Sequence, residues 1–280
     1  MARTARTIKL QGFARLSRLN HVQGVEALRT SLDTIRFATN RFCDVFEQGA
    51  FGKVYKGELS RSKGKNSVIV MQLDPGHMKD SYGQDFCKKI EMLYNYNHKN
   101  LIPLVGFCEE ESERIVVFEH MVNGSVKEYL RSTSLTWKER LKICVDAAKG
   151  IAHIHSGVEN QHLIHGDVKS SSILLDHEMK AVISDFIIPE SAGTIGYYDP
   201  LNELRGRSQK SDVYSFGVVM FEILSGRLAI ERLKNDNQHQ VVFLARLAAQ
   251  CFINQQLDEV IFQDIKGKIE GKSLDIFVLN

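Results

Sequence analysis

Two polar loops separated by short β-prone runs constrain this chain more than any other feature. The first reads His165-Gly166-Asp167-Val168-Lys169-Ser170-Ser171-Ser172, and the second begins Asp185-Phe186-Ile187. Between and around them, Ile173 to Asp176 and Ala181 to Phe186 are apolar enough for two short strands. Upstream, strand-like runs follow one another at Lys53 to Glu58, Ser67 to Leu73, Leu101 to Cys108 and Ile115 to His120. One helical stretch interrupts them, with Phe86, Ile90 and Leu93 on a single face. After Asn123-Gly124-Ser125 the period becomes helical. Thr136-Trp137-Lys138-Glu139 is a capping box, in which the threonine hydroxyl and the glutamate each satisfy an orphan amide. The helix it opens is expected to bury Trp137, Leu141, Cys144, Ala148 and Ile151. A further helix over Ser211 to Ser225 is apolar almost all round, and Gly226 suits its stop. The pattern predicts an α+β chain: a small β-rich lobe over about residues 39–121 and a larger helical lobe over about 122–280.

Length and composition agree. At 280 residues, 43% apolar and 25% charged, the chain can bury a sizeable core. A net charge of +2 points away from nucleic acid and acidic substrates. The five cysteines are odd in number and never form a Cys-x-x-Cys pair, which fits free thiols in a reducing, cytoplasmic setting. The best apolar run, Val213 to Leu224, is too short to span a membrane and carries Glu222. Ala2 stands where N-myristoylation needs glycine, and no secretory signal is present.

Residues 1–38 are expected to be a flexible basic leader. Within the first twenty, Arg3, Arg6, Lys9, Arg15 and Arg18 alternate with Ile8, Leu10, Phe13, Leu16 and Leu19, without an acidic residue. Such a segment suits a solvated tail, contact with an anionic membrane surface, or a transit peptide.

The motifs resemble those of a known family. Phe51-Gly52-Lys53-Val54-Tyr55-Lys56-Gly57, His98-Lys99-Asn100-Leu101, Leu135-Thr136-Trp137, His165 to Lys169, Gly193-Thr194-Ile195-Gly196-Tyr197, Asp199-Pro200 and Ser211-Asp212-Val213-Tyr214-Ser215-Phe216-Gly217 stand in order and at family spacing. From about Thr39 onward the chain resembles the kinase domain of plant receptor-like kinases, with ATP and Mg2+ as the implied cofactors. The resemblance implies a catalytic base at Asp167, a γ-phosphate lysine at Lys169 and a metal ligand at Asp185. It implies nucleotide contacts from Gly49, Gly52, Val54, Glu119, Met121 and Leu174, a gatekeeper at Phe118, and Asp212 bracing the catalytic loop. It also implies that the last helices of the fold are missing, which would expose apolar surface.

The same alignment of motifs marks departures. The phosphate-holding lysine is Met71, whose thioether is neutral and donates no hydrogen bond. Its helix glutamate falls on Lys89. The first loop glycine is Glu47, and the small residue over adenine is Ile69. The asparagine metal ligand is Ser172, the glycine of the metal motif is Ile187, the loop arginine is Gly166, and the glutamate after Asp199-Pro200 is Leu201. Phosphoryl transfer rests on positioning and electrostatics, so losing such a charge costs roughly 10²- to 10³-fold in rate.

The expected function is a catalytically impaired kinase, a pseudokinase serving as a binding or scaffold module in receptor-kinase signalling. Its implied partner is a signalling protein such as a receptor-like kinase, at the inner face of the plasma membrane. Two alternatives remain at this stage: an active Ser/Thr kinase borrowing Lys56, which shares the Val54 face of its strand, and a truncated fragment without a role. An empty site is further expected to pair Lys89 with a buried Asp185, because an unpaired buried carboxylate is costly.

Overall fold

A computed structural model describes residues 24–49, 52–61, 64–74, 86–157, 162–186, 193–200, 206–235, 238–269, 273–274 and 277. The chain divides into two compact units. One contains residues 1–97 and 102–120, the other residues 98–101 and 121–280.

The first unit is a five-stranded antiparallel sheet of β1 (Val45–Gly49), β2 (Gly52–Arg61), β3 (Gly64–Leu73), β4 (Leu104–Glu110) and β5 (Glu113–Glu119), in the order β1-β2-β3-β5-β4. Alternation along the strands sorts side chains between two faces. Tyr55 and Leu59 of β2, Val68 and Val70 of β3, and Ile115 and Val117 of β5 join one buried cluster. Leu32 and Ile35 of helix α1 (Leu32–Ala38) complete that cluster, and the Ser31 hydroxyl caps the helix by accepting from the Thr34 amide at 3.3 Å. The leader expected over residues 1–38 is corrected by this packing: residues 24–38 belong to the folded unit, with Val25, Leu32 and Ile35 all buried. The signal lay in the apolar spacing 25, 32, 35, which the basic composition upstream obscured. Residues 1–23 lie outside the described residues.

Helix α2 (Phe86–Asn95) buries Phe86, Cys87, Ile90 and Leu93, the face read from the sequence. Gly52 closes the turn from β1 to β2 with φ of 147°, and a Cβ there would lie 2.0 Å from the Gln72 carbonyl oxygen. Only glycine fits that approach.

The second unit is mainly helical. It contains α3 (Val126–Tyr129), α4 (Trp137–Ser156), α5 (Gln209–Ser225), α6 (Leu244–Ile253) and α7 (Gln263–Lys266). Two hairpins accompany them, β6 (Ile173–Leu175) with β7 (Ala181–Ile183), and β8 (Ile230–Asn235) with β9 (Gln238–Phe243). The predicted capping box is present, with the Glu139 carboxylate accepting from the Thr136 amide at 2.8 Å. Gly226 ends α5 at φ of 67°.

The buried stripe of α4 differs from the expected one. Ala148 is exposed and Leu141 half-buried, whereas Trp137, Arg140, Cys144, Ala147 and Ile151 are buried. The cause is Arg140, 1% exposed. Its guanidinium donates to the carbonyls of Leu130 (3.1 Å), Ser132 (2.8 Å), Leu135 (3.4 Å) and Ile223 (2.8 Å). A buried cation is tolerable when its fixed fork of donors is satisfied. A hydrophobicity pattern cannot see such a residue as core. The apolar character expected all round α5 is also incomplete, since Val213 is 60% exposed while Asp212 and Glu222 are buried.

Candidate functional site

In the second unit, the loop from His165 to Ser172 is held from below by α5. Both carboxylate oxygens of Asp212 accept from it, from the His165 and Gly166 amides, each at 2.8 Å. His155 of α4 adds a third contact to Asp212 at 2.7 Å. His165 itself bonds the Ser184 carbonyl through Nε2 at 2.9 Å, and its Nδ1 accepts from the Asp167 amide at 3.2 Å. Burial pushes the His165 pKa down, so the ring stays neutral with its proton on Nε2. The implied bracing role of Asp212 is therefore visible atom by atom.

The candidate base Asp167 is surrounded by donors. One oxygen accepts from the Thr194 amide at 2.8 Å and the Thr194 hydroxyl at 2.6 Å. The other accepts from the Lys169 ammonium, which also reaches Thr194 Oγ1 at 3.1 Å. Burial would raise the Asp167 pKa, but the hydrogen bonds from Lys169 and Thr194 outweigh it and hold the carboxyl below its usual value. Thr194 escaped notice in the sequence because it was read only as part of Gly193-Thr194-Ile195-Gly196. The expected functional residues Asp167 and Lys169 are thus brought together.

Ser172 is turned inward. Its buried hydroxyl donates to the Lys169 carbonyl at 2.9 Å and accepts from the Lys169 amide at 3.0 Å. An asparagine-type metal ligand needs a free oxygen directed outward, and this hydroxyl closes its own turn instead. Asp185 is exposed and sits in the left-handed region at φ of 64°. The burial expected of Asp185 is thereby corrected, since its side chain is exposed. Gly166 has φ of 80°, and a Cβ there would lie 3.2 Å from Arg207 Nη1, so an arginine at position 166 would be strained on this backbone. Leu174 is half-buried in β6, and the carbonyl of buried Met121 accepts from the Gly124 amide at 3.1 Å. Ile187 and Leu201 lie outside the described residues.

A buried network missed in the sequence lies behind the loop. Tyr197 donates its hydroxyl hydrogen to Glu222 of α5 at 2.7 Å, Ser170 lies 3.1 Å from the same phenol, and the Ala229 amide donates to Glu222 at 2.8 Å. Burial pushes the Glu222 pKa up despite these donors.

In the first unit, Val54, Ile69 and Met71 share the sheet face opposite the α1 cluster. Val54 pairs with Met71, Lys56 with Ile69, and Ile69 with Phe118. Glu47 pairs with Val54 from exposed β1, Gly49 pairs with Gly52, and Glu119 ends β5 with its amide bonded to the Pro103 carbonyl at 3.1 Å. Lys56 is exposed, and its ammonium lies 4.0 Å from the centroid of the Phe46 ring in a cation–π contact. Lys89 is half-buried beside the apolar stripe of α2.

Position 71 of the first unit carries a neutral thioether; in the second unit, the hydroxyl of Ser172 is engaged by Lys169. Among the described residues, no group of three or more His, Cys, Asp or Glu side chains is placed to hold a metal ion. None of the described helices is long and apolar enough to cross a membrane.

Comparison with known proteins points one way. A sequence model of the protein tyrosine and serine/threonine kinase family matches residues 41–268. The receptor-like protein kinase HERK 1 of Arabidopsis thaliana is 38% identical over 269 residues, covering 89% of this chain and 31% of that protein. The receptor-like protein kinase FERONIA, also of Arabidopsis thaliana, is 38% identical over 258 residues, 85% of this chain and 28% of its own. ANXUR1 of the same plant is 35% identical over 280 residues, 93% and 32% respectively. The chain thus spans about a third of the length of these curated relatives.

Proposed function

We propose that this chain, which belongs to the protein tyrosine and serine/threonine kinase family, is a catalytically impaired member that works by binding rather than by turnover. Its relatives are receptor-like kinases of plants by name, which supports a partner of that kind at the inner face of the plasma membrane. The basic segment over residues 1–20 is the part suited to touch that membrane.

The observation that carries the reading is Met71. Strand β3 sets a neutral thioether on the face it shares with Val54 and Ile69. A charged clamp is worth several kcal/mol in phosphoryl transfer, because that chemistry depends on holding and neutralising phosphate oxygens. Ser172, closed on its own turn, supports the same conclusion. Against Lys56 as a replacement stands the contact its ammonium makes over Phe46. What the loop retains is an ordered, hydrogen-bonded surface around Asp167 and Thr194.

Radiolabelled phosphate transfer to itself or to a generic substrate is expected at background. Incorporation that disappears in Asp167→Asn would refute the proposal, and loss of that activity in a folded Lys56→Met would identify the substitute lysine. Thermal denaturation with Mg-ATP gives a second readout. A bound ligand at 100 times its dissociation constant stabilises by about 2.7 kcal/mol, and no such shift is expected here.

A further inference from the structure

Away from these loops, the second unit gathers basic side chains in one place. Residues 98–101 run parallel to β7. Leu101 bridges Ile183, the Ile183 amide donates to the Asn100 carbonyl at 2.9 Å, and the Asn100 side chain donates to the Ala181 carbonyl at 2.9 Å. This alignment lays His98 and Lys99 alongside Lys180, the residue before β7. His98 stacks on His153 of α4, with ring centroids 4.6 Å apart and planes 16° from parallel. Lys149 lies one turn earlier on the same face of that helix.

Among the described residues, little negative charge answers the three lysines of this group. Asp146, buried in α4, is 4.0 Å from Lys149. Asp176 is turned to backbone, accepting from the Glu178 and Lys180 amides at 2.8 and 2.9 Å. Neither Lys99 nor Lys180 forms an ion pair among the described residues. Burial first, and then the positive charges of His153, Lys99, Lys180 and Lys149, hold the His98 pKa below its usual value. Lys99 and Lys180 thus stand without a carboxylate partner beside two stacked imidazoles.

We propose that this cluster is a binding site for a phosphate monoester on a protein segment, a phosphoserine or phosphothreonine of a signalling partner. A phosphomonoester is close to a dianion with three strong acceptor oxygens, and it is recognised by several cationic donors converging on one point. The strand register and the ring stack set Lys99 and Lys180 beside two half-buried imidazoles, a compact group of that kind. An anionic membrane would need a broad basic face, and this group is confined to one short bridge and one helix turn. The site is separate from the loops around Asp167, so the inference holds whether or not the chain transfers phosphate.

The test titrates the full chain with three probes: a phosphothreonine peptide of neutral sequence, the same peptide unphosphorylated, and vesicles of phosphatidylcholine and phosphatidylserine. The phosphopeptide is expected to move the ring-proton resonances of His98 and His153, and the unphosphorylated peptide to leave them in place. A Lys99→Gln/Lys180→Gln variant should bind the phosphopeptide roughly tenfold or more weakly, as expected for losing charge-assisted hydrogen bonds. Lys138→Gln, an exposed change at the other end of α4, should bind as the parent does. Unmoved histidines, equal affinity in the double variant, or equal loss in Lys138→Gln would each overturn the proposal. Binding to vesicles in preference to the phosphopeptide would overturn it as well, and assign the surface to lipid.

Discussion

Within the same eight residues, the underside and the top of the His165 to Ser172 loop are built on different terms. Underneath, every strong group is matched: Asp212 takes both loop amides and His155, and His165 bridges Ser184. On top, the groups that a phosphate-transferring loop would present outward are turned on each other. Asp167 is closed by Lys169 and Thr194, and Ser172 by Lys169. The shape of such a loop is therefore fixed by internal hydrogen bonds. Its chemistry depends on outward-facing charge, and that can vanish while the shape persists.

Variants can break this contrast. The largest effect is expected underneath. Asp212→Ala would strand two amides of the loop, and, away from the loop, Arg140→Ala would strand four carbonyls, each costing about 3–5 kcal/mol in urea denaturation. A cost under 1 kcal/mol for Asp212→Ala would show that the brace contributes little. Glu222 should set a pH trend. Its folded pKa is raised, so the folded chain holds a proton more tightly than the unfolded chain does. Stability should then fall as pH rises above the usual carboxylate pKa and through the folded value. Glu222→Gln, which keeps an acceptor for Tyr197, should flatten that fall, and an unchanged pH profile would contradict it.

Smaller effects belong to the top. Thr194→Val removes one donor to Asp167 and should cost about 1 kcal/mol. The depressed Asp167 pKa contributes stability above its unfolded value of 3.8, lost as pH falls through the folded value. In Thr194→Val the carboxyl carbon of Asp167 should titrate at higher pH by NMR, and an unmoved titration would refute the assignment. Smallest of all, Met71→Lys should leave phosphate transfer at background, because Ser172 and Lys89 are unchanged. Its stability should move by no more than about 0.5 kcal/mol, and a full gain of activity would collapse the distinction between shape and chemistry.

Much of this was legible in the residues. The alternating runs that became β2, β3 and β5 and the face of α2 were readable because burial follows simple periods there. The bracing by Asp212 followed from motif order. Three things were not legible, each because a polar residue finds its partner far along the chain. Arg140 occupies a buried stripe position through its carbonyl partners, Glu222 is buried in a helix read as apolar, and Thr194 serves Asp167 across 27 residues. The β8–β9 hairpin was also missed, since its sequence mixes charge and apolar residues without clean alternation. The inward turn of Ser172 could be anticipated only as a loss of the asparagine, not as a new hydrogen bond.

The carbonyl cluster around Arg140 has a consequence for the order of assembly. Its acceptors come from two places far apart in the chain, Leu130 to Leu135 just before α4 and Ile223 near the end of α5. Closing the second requires α5 to reach α4 across an 83-residue separation, an entropic cost incurred before the bond can form. Until α5 arrives, the guanidinium must stay in water and α4 cannot settle. The two helices should therefore gain hydrogen-exchange protection together and lose it together, as one cooperative unit.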